Sequence, residues 1–202
     1  VADLTAGVLI AQDEGKWYTK PTFWLPGEGL REKSIRERVP YDRWAAANFL
    51  QTTPGRSIEY EYVAAWLRHL FNEYDVRQMA FDRWNYRHLR PWLEKAGFSP
   101  EEMERFVEFG QGYASMSPAL RDLESLVLNG KLQHDGHPVL TMCAANAVVQ
   151  TDPAGNKKLV KNKSAGRIDG MVALAMACSV AATEEIEETG SYLDDGAEMV
   201  IL

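Results

Sequence analysis

Val76-Arg77-Gln78-Met79-Ala80-Phe81-Asp82-Arg83-Trp84-Asn85 sets the reading of the whole chain. An apolar, strand-like run ends on a carboxylate, and helical sequence follows directly. A second carboxylate sits in Arg167-Ile168-Asp169-Gly170, at the front of an apolar helical run over 171–182. Carboxylates at the end of a buried strand and on the first turn of a buried helix are costly to desolvate unless something pairs with them. Divalent metal is the usual compensation for such clusters, and metal-assisted cleavage of phosphodiesters is a common use of them. Each acid taken alone also has a plainer role. Asp82 is an N-cap candidate for the segment beginning at Arg83, and Asp169 is a first-turn acid favoured by the helix dipole.

Working outward, residues 4–11 and 16–24 read as strands joined by the turn Asp13-Glu14-Gly15. Helical stretches are expected over 30–38 and 41–49, followed by a turn at Pro54-Gly55. In 60–74, Val63, Leu67, Leu70 and Phe71 recur at helical spacing. This helix feeds the strand 76–81. A helix over 86–96 stops at Gly97, and Ser99-Pro100-Glu101-Glu102 carries the cap, proline and glutamate of a short helix start. Residues 106–109 form a brief strand, and Ser117-Pro118 opens a helix through 128. A mixed segment follows Pro138. Residues 147–151 and 157–161 then flank Asp152-Pro153-Ala154-Gly155-Asn156 as a β-hairpin. The last firm element is a helix over 167–182. Strands followed by alternating strands and helices indicate a mixed α/β sheet with helices on its faces.

The 202 residues suit one domain, with 46% hydrophobic and 25% charged residues. We read 1–183 as that domain and 184–202 as an acidic, flexible tail with little to bury. The tail holds seven acids and no Lys or Arg, so removing it from a net charge of −7 leaves the body neutral. Within the body, Lys157, Lys158, Lys161, Lys163 and Arg167 crowd into eleven residues. Such a run is either a solvated face or a phosphate grip. The apolar stretch 171–182 is too short for a membrane span, so no membrane partner is expected. Cys143 and Cys178 lack metal-ligand spacing and read as buried thiols.

Several blocks carry a family resemblance. They are Phe23-Trp24-Leu25-Pro26, Val39-Pro40-Tyr41-Asp42-Arg43-Trp44, Ala80-Phe81-Asp82-Arg83-Trp84-Asn85, Gly110-Gln111-Gly112-Tyr113-Ala114-Ser115-Met116-Ser117-Pro118, and Lys163-Ser164-Ala165-Gly166-Arg167-Ile168-Asp169-Gly170-Met171-Val172-Ala173-Leu174. In order and spacing they resemble the C-terminal nuclease domain of tailed-phage large terminase subunits. That resemblance implies an RNase H-like fold with an added hairpin, binding two Mg²⁺ or Mn²⁺ ions and cutting concatemeric double-stranded DNA during genome packaging. It further implies portal and small-terminase partners through the full-length protein, in the cytoplasm of the bacterial host.

Residue by residue, Asp82 matches the family's second acidic position and Asp169 its last. Both are the expected catalytic metal ligands. Asp3, in Val1-Ala2-Asp3-Leu4-Thr5-Ala6, matches an auxiliary acid that follows the first metal-binding strand. The family's first catalytic Asp lies in a strand upstream of that position, so the site is expected to be incomplete in these 202 residues. The phosphate loop of the family's ATPase motor, Gly-x-x-x-x-Gly-Lys-[Ser/Thr], does not occur in them either. A non-catalytic DNA-gripping or portal-docking module is the alternative, and another RNase H-like nuclease such as a junction resolvase comes third.

Smaller motifs stay open. Gly110-Gln111-Gly112 is either a tight loop near metal or DNA, or a plain turn. Lys163 and Arg167 either neutralise charge in the reaction or pair with Asp169. His134-Asp135-Gly136-His137 reads as a turn. Of the six tryptophans, Trp84 either anchors the core or buttresses the site.

Overall fold

β1 (Thr5–Asp13) and β2 (Lys16–Pro26) form a long antiparallel arm in register from Thr5↔Trp24 to Asp13↔Lys16. Its turn is two residues, Glu14 and Gly15, with φ of 46° and 76°. That pair of left-handed residues matches the twist of the flanking strands. The computed structural model of the protein describes residues 3–191, apart from the side chains of 84–85 and 183–191.

After the arm come α1 (Leu30–Glu37), α2 (Tyr41–Ala46) and a short β3 (Gln51–Thr53). α3 (Tyr60–Glu73) buries Val63, Ala64, Leu67 and Leu70, the stripe its spacing predicts. β4 (Met79–Asp82) ends on Asp82, and α4 (Arg83–Lys95) begins at the next residue. α5 (Pro100–Glu104) starts with a complete capping box between Ser99 and Glu102. β5 (Phe106–Phe109) pairs in parallel with β4, from Met79↔Phe106 to Asp82↔Phe109. Next are α6 (Tyr113–Leu128), β6 (Leu132–Gln133) and α7 (Pro138–Asn146). The hairpin β7 (Val149–Thr151) and β8 (Lys157–Leu159) leads through a 3-10 turn, Lys161–Lys163, into α8 (Asp169–Ser191).

The topology leaves a gap in the middle of the molecule. β3 and β6 both pair with β2 in parallel, at opposite ends of one edge. No described strand pairs with the other edge of β1, and β4–β5 forms a separate two-stranded sheet. α8 packs on both β1 and β4 and bridges the two sheets. Its buried face, with Val172, Ala175, Met176 and Cys178, and Ile168 just before it meet Met116, Ala119 and Leu123 of α6. A second cluster joins α3, α4 and β5 through Leu67, Leu93 and Phe106, and a third joins β2 to α1, α2 and α7.

Four differences from the sequence reading have physical causes. β3 and β6 are three and two residues long, too short to show a period. α7 is short, with Val139, Leu140 and Cys143 buried, and its composition gave no clear stripe. α6 begins at Tyr113, four residues before the Ser117-Pro118 start. Pro118 is the sixth residue of the helix, past the first turn, so it removes an N–H that would otherwise have bonded the Ala114 carbonyl. α8 continues past 182 to Ser191, because Glu184, Glu185, Glu187 and Glu188 are good helix formers. Residues 192–202 of the expected acidic tail lie outside the described residues. Among the described residues, no helix is long and apolar enough to cross a membrane.

Candidate active site

The gap between β1 and β4 opens as a groove of about 740 Å³. β1 and β4 form its two walls. Trp66, Leu67 and Leu70 of α3 and Val172, Ala173 and Met176 of α8 also line it. Asp3, Asp82 and Asp169, from three elements far apart in the chain, all line this same groove, together with Gln111 and Lys161.

Asp82 is placed by the rigid end of β4 and is half-buried. The Gln111 side-chain amide donates to its Oδ2 at 3.0 Å, so the loop Gly110-Gln111-Gly112 reaches the groove. The charge of Asp82 also adds to burial in pushing the nearby Tyr60 hydroxyl above its ordinary pKa. The side chain of Trp84 lies outside the described part, so its proposed buttressing role does too.

Asp169 is held more firmly. It opens α8 between Ile168, which has no exposed surface, and Gly170. A Cβ at Gly170 would stand 2.9 Å from the Phe23 ring and 3.1 Å from Leu140. Only glycine lets the first turn of α8 come this close to β2 and α7. Lys161 Nζ donates to Asp169 Oδ1 at 2.5 Å.

Asp3 precedes β1 and is ion-paired with Arg167. Arg167 also contacts Glu37, with Nη2 to Oε1 at 3.2 Å, and its Nε donates to the Tyr41 hydroxyl at 3.3 Å. Tyr41 in turn donates to Glu37 Oε2 at 3.0 Å. Burial and then the Glu37 charge push the Tyr41 hydroxyl far above its ordinary range. Arg167 is therefore the half-buried centre of a network that ties Asp3 and α8 to α1 and α2. Glu37 and Tyr41 were not legible as its partners from sequence, because Glu37 lies 130 residues away.

The remaining basic residues are disposed differently. The backbone N–H of Lys157 donates to Ser117 Oγ at 3.1 Å, which docks the hairpin on α6. Its ammonium lies 3.2 Å from Glu124, and Lys158 Nζ lies 4.5 Å from the centre of the Tyr113 ring. Lys163 is exposed in the 3-10 turn. The His134–His137 segment is an irregular connection, with Gly136 at φ 72°. His137 is packed against Phe23 and Phe49. Cys143 and Cys178 are free and buried, and burial pushes their thiols up to about 11 and about 12.

Among the described residues, no three His, Cys, Asp or Glu side chains stand close enough together to hold a metal ion. The donor chemistry nevertheless suits a hard divalent cation, since oxygen ligands face one groove and an ammonium already stands against Asp169. Magnesium commonly keeps several waters and uses only one or two carboxylates.

A mixed sheet flanked by helices, with carboxylates from separate elements facing a central groove, places the fold in the RNase H-like class. The family described as "Terminase large subunit, endonuclease domain" matches residues 1–185, and the chain belongs to it. The large terminase subunit of Enterobacteria phage HK97 is 47% identical over 194 residues, covering 96% of this chain and 38% of that protein. Protein YmfN of Escherichia coli (strain K12) is 28% identical over 175 residues, covering 84% of this chain and 37% of its own length. The crystal structure of the HK97 large terminase matches with a TM-score of 0.82 at 47% identity, over 89% of this chain and 37% of that one. The chain thus spans less than two-fifths of the length of these relatives.

Proposed function

We propose that this domain is a metal-dependent endonuclease that cuts concatemeric double-stranded DNA during phage genome packaging. It would work in the bacterial cytoplasm, within a longer protein that meets the portal and the small terminase subunit. The observation that carries the reading is the convergence of Asp82, Asp169 and Asp3 on one groove in a chain of the terminase endonuclease family.

In this reading Asp82 and Asp169 hold Mg²⁺ or Mn²⁺, with Asp3 assisting. A pair of such ions, when bound, activates water and stabilises the leaving oxygen of a phosphodiester. Gln111 orients the carboxylate of Asp82. Arg167 holds Asp3 in place and is already engaged by Glu37, which leaves Lys157, Lys158, Lys161 and Lys163 as the phosphate grip. We also propose that the slot between β1 and β4 is filled by a further strand bearing another carboxylate. Such a strand would lie about 4.8 Å from each neighbour. Adding it should raise both stability and cleavage.

The test is Mn²⁺-dependent nicking of supercoiled plasmid by the wild type, Asp82→Asn and Asp169→Asn, alongside thermal melts with and without Mn²⁺. Both substitutions should abolish nicking and the Mn²⁺-induced rise in melting temperature. The fold should survive, because Asn nearly preserves the shape of Asp and the Asp169–Lys161 pair is exposed on its lysine side. Equal Mn²⁺ shifts in all three proteins would sink the assignment. The second reading, a DNA-gripping or portal-docking module, is favoured by the lack of a three-ligand cluster among the described residues. It predicts DNA binding with no nicking at any divalent concentration.

A further inference from the structure

We propose that Lys161 is a tethered counter-cation. It occupies the place at Asp169 that a divalent ion takes, and metal loading displaces it toward the DNA backbone. The inference rests on the reading that Asp169 is a metal ligand.

The two partners differ in freedom. The Asp169 side chain is 14% exposed and is fixed by the tight seating of Ile168 and Gly170. The Lys161 side chain is 54% exposed, on a flexible four-carbon stem. The backbone beneath that stem is firm. Ser164 Oγ donates to the Val160 carbonyl at 2.7 Å, Ser164 N–H to the Lys161 carbonyl at 3.2 Å, and Val160 N–H to the Val148 carbonyl at 3.0 Å. The ammonium can therefore leave without any change in the chain that carries it. Arg167, the other cation near Asp169, is held by Asp3 and Glu37 and does not compete for the same place.

An ammonium and a divalent ion repel each other, and they cannot both sit against one carboxylate oxygen at contact distance. Whichever binds, the other must go. Lys161 lines the groove with an exposed side chain, in the same run as Lys157, Lys158 and Lys163. Once displaced, its ammonium joins that run. One ion exchange thus neutralises Asp169 while the domain is idle and adds a phosphate contact when it is loaded. A plain surface ion pair would leave metal affinity untouched when broken.

Calorimetric titration of Mn²⁺ into the whole chain separates these cases. Lys161→Gln should bind Mn²⁺ roughly two- to fivefold more tightly than Lys157→Gln, which controls for the loss of one positive charge nearby. Lys161→Arg should stay close to the wild type. An isotherm for Lys161→Gln equal to or weaker than that of Lys157→Gln overturns the exchange. Asp169→Asn in the wild-type background tests the underlying reading separately: an unchanged isotherm there means that Asp169 is not a ligand at all. For the hand-off, duplex binding is followed against salt with and without Ca²⁺. The Ca²⁺-induced change in slope should be larger in the wild type than in Lys161→Gln by about one phosphate contact. Equal changes in the two proteins overturn the hand-off.

Discussion

Arg167 and the lysines at 157, 158 and 161 belong to one run of positive charge in the chain, yet they fold into opposite circumstances. The Arg167 side chain is 17% exposed and faces Asp3, Glu37 and Tyr41. Lys157 and Lys161 are 44% and 54% exposed, and each is paired with a single carboxylate. Burial lowers the pKa of Arg167, and the charge of Asp169 opposes that shift. Proximity in sequence therefore says little about what a cation does. A half-buried cation organises the carboxylates around it, whereas an exposed one remains available to exchange partners.

The contrast is open to measurement. Arg167→Ala leaves Glu37 and Asp3 without their central cation, and we expect a loss of about 2–3 kcal/mol in denaturant unfolding. A loss under 0.5 kcal/mol would place Arg167 with the lysines. Arg68 and Glu102 supply a middle case, bidentate at 2.7 and 2.6 Å and roughly one-quarter exposed. Arg68→Met should cost about 1 kcal/mol at neutral pH.

The hydrogen bond from Arg68 holds the Glu102 carboxyl down to about 2. A depressed carboxylate stabilises the fold above its unfolded pKa of 4.5, and the contribution is lost as pH falls toward 2. Arg68→Met should therefore flatten the acid limb of stability between those values, and an unaltered acid limb would mean that the pair is only a surface contact. The smallest effect on stability is expected for the triple change of Lys157, Lys158 and Lys161 to Ala, within about 0.5 kcal/mol. Its signature lies in DNA binding, where the salt slope should fall by about 2–3. An unchanged slope would remove the hairpin from the grip.

Much of the architecture was legible because it rests on local rules. The strand ending at Asp82, the strand over 106–109, the capping box at Ser99 and the arm joined at Glu14-Gly15 all follow from neighbouring residues. What escaped depends on distant partners. β3 and β6 exist only because β2 offers an edge to pair with. The role of Arg167 depends on Glu37 and Tyr41, which the fold brings from another part of the chain. The sequence also marked Asp82, Asp169 and Asp3 as related, but not that an amide and an ammonium would stand against two of them.

The unpaired edge of β1 carries a consequence for hydrogen exchange. In an antiparallel strand, successive backbone amides point alternately to one neighbour and to the other. Those of β1 that face β2 are bonded along a register of nine pairs, while those facing the groove meet no described strand. Deuterium uptake along β1 should therefore rise and fall with a period of two residues, slow toward β2 and fast toward the groove. Whatever settles into the groove would write its presence into the fast half of that pattern alone.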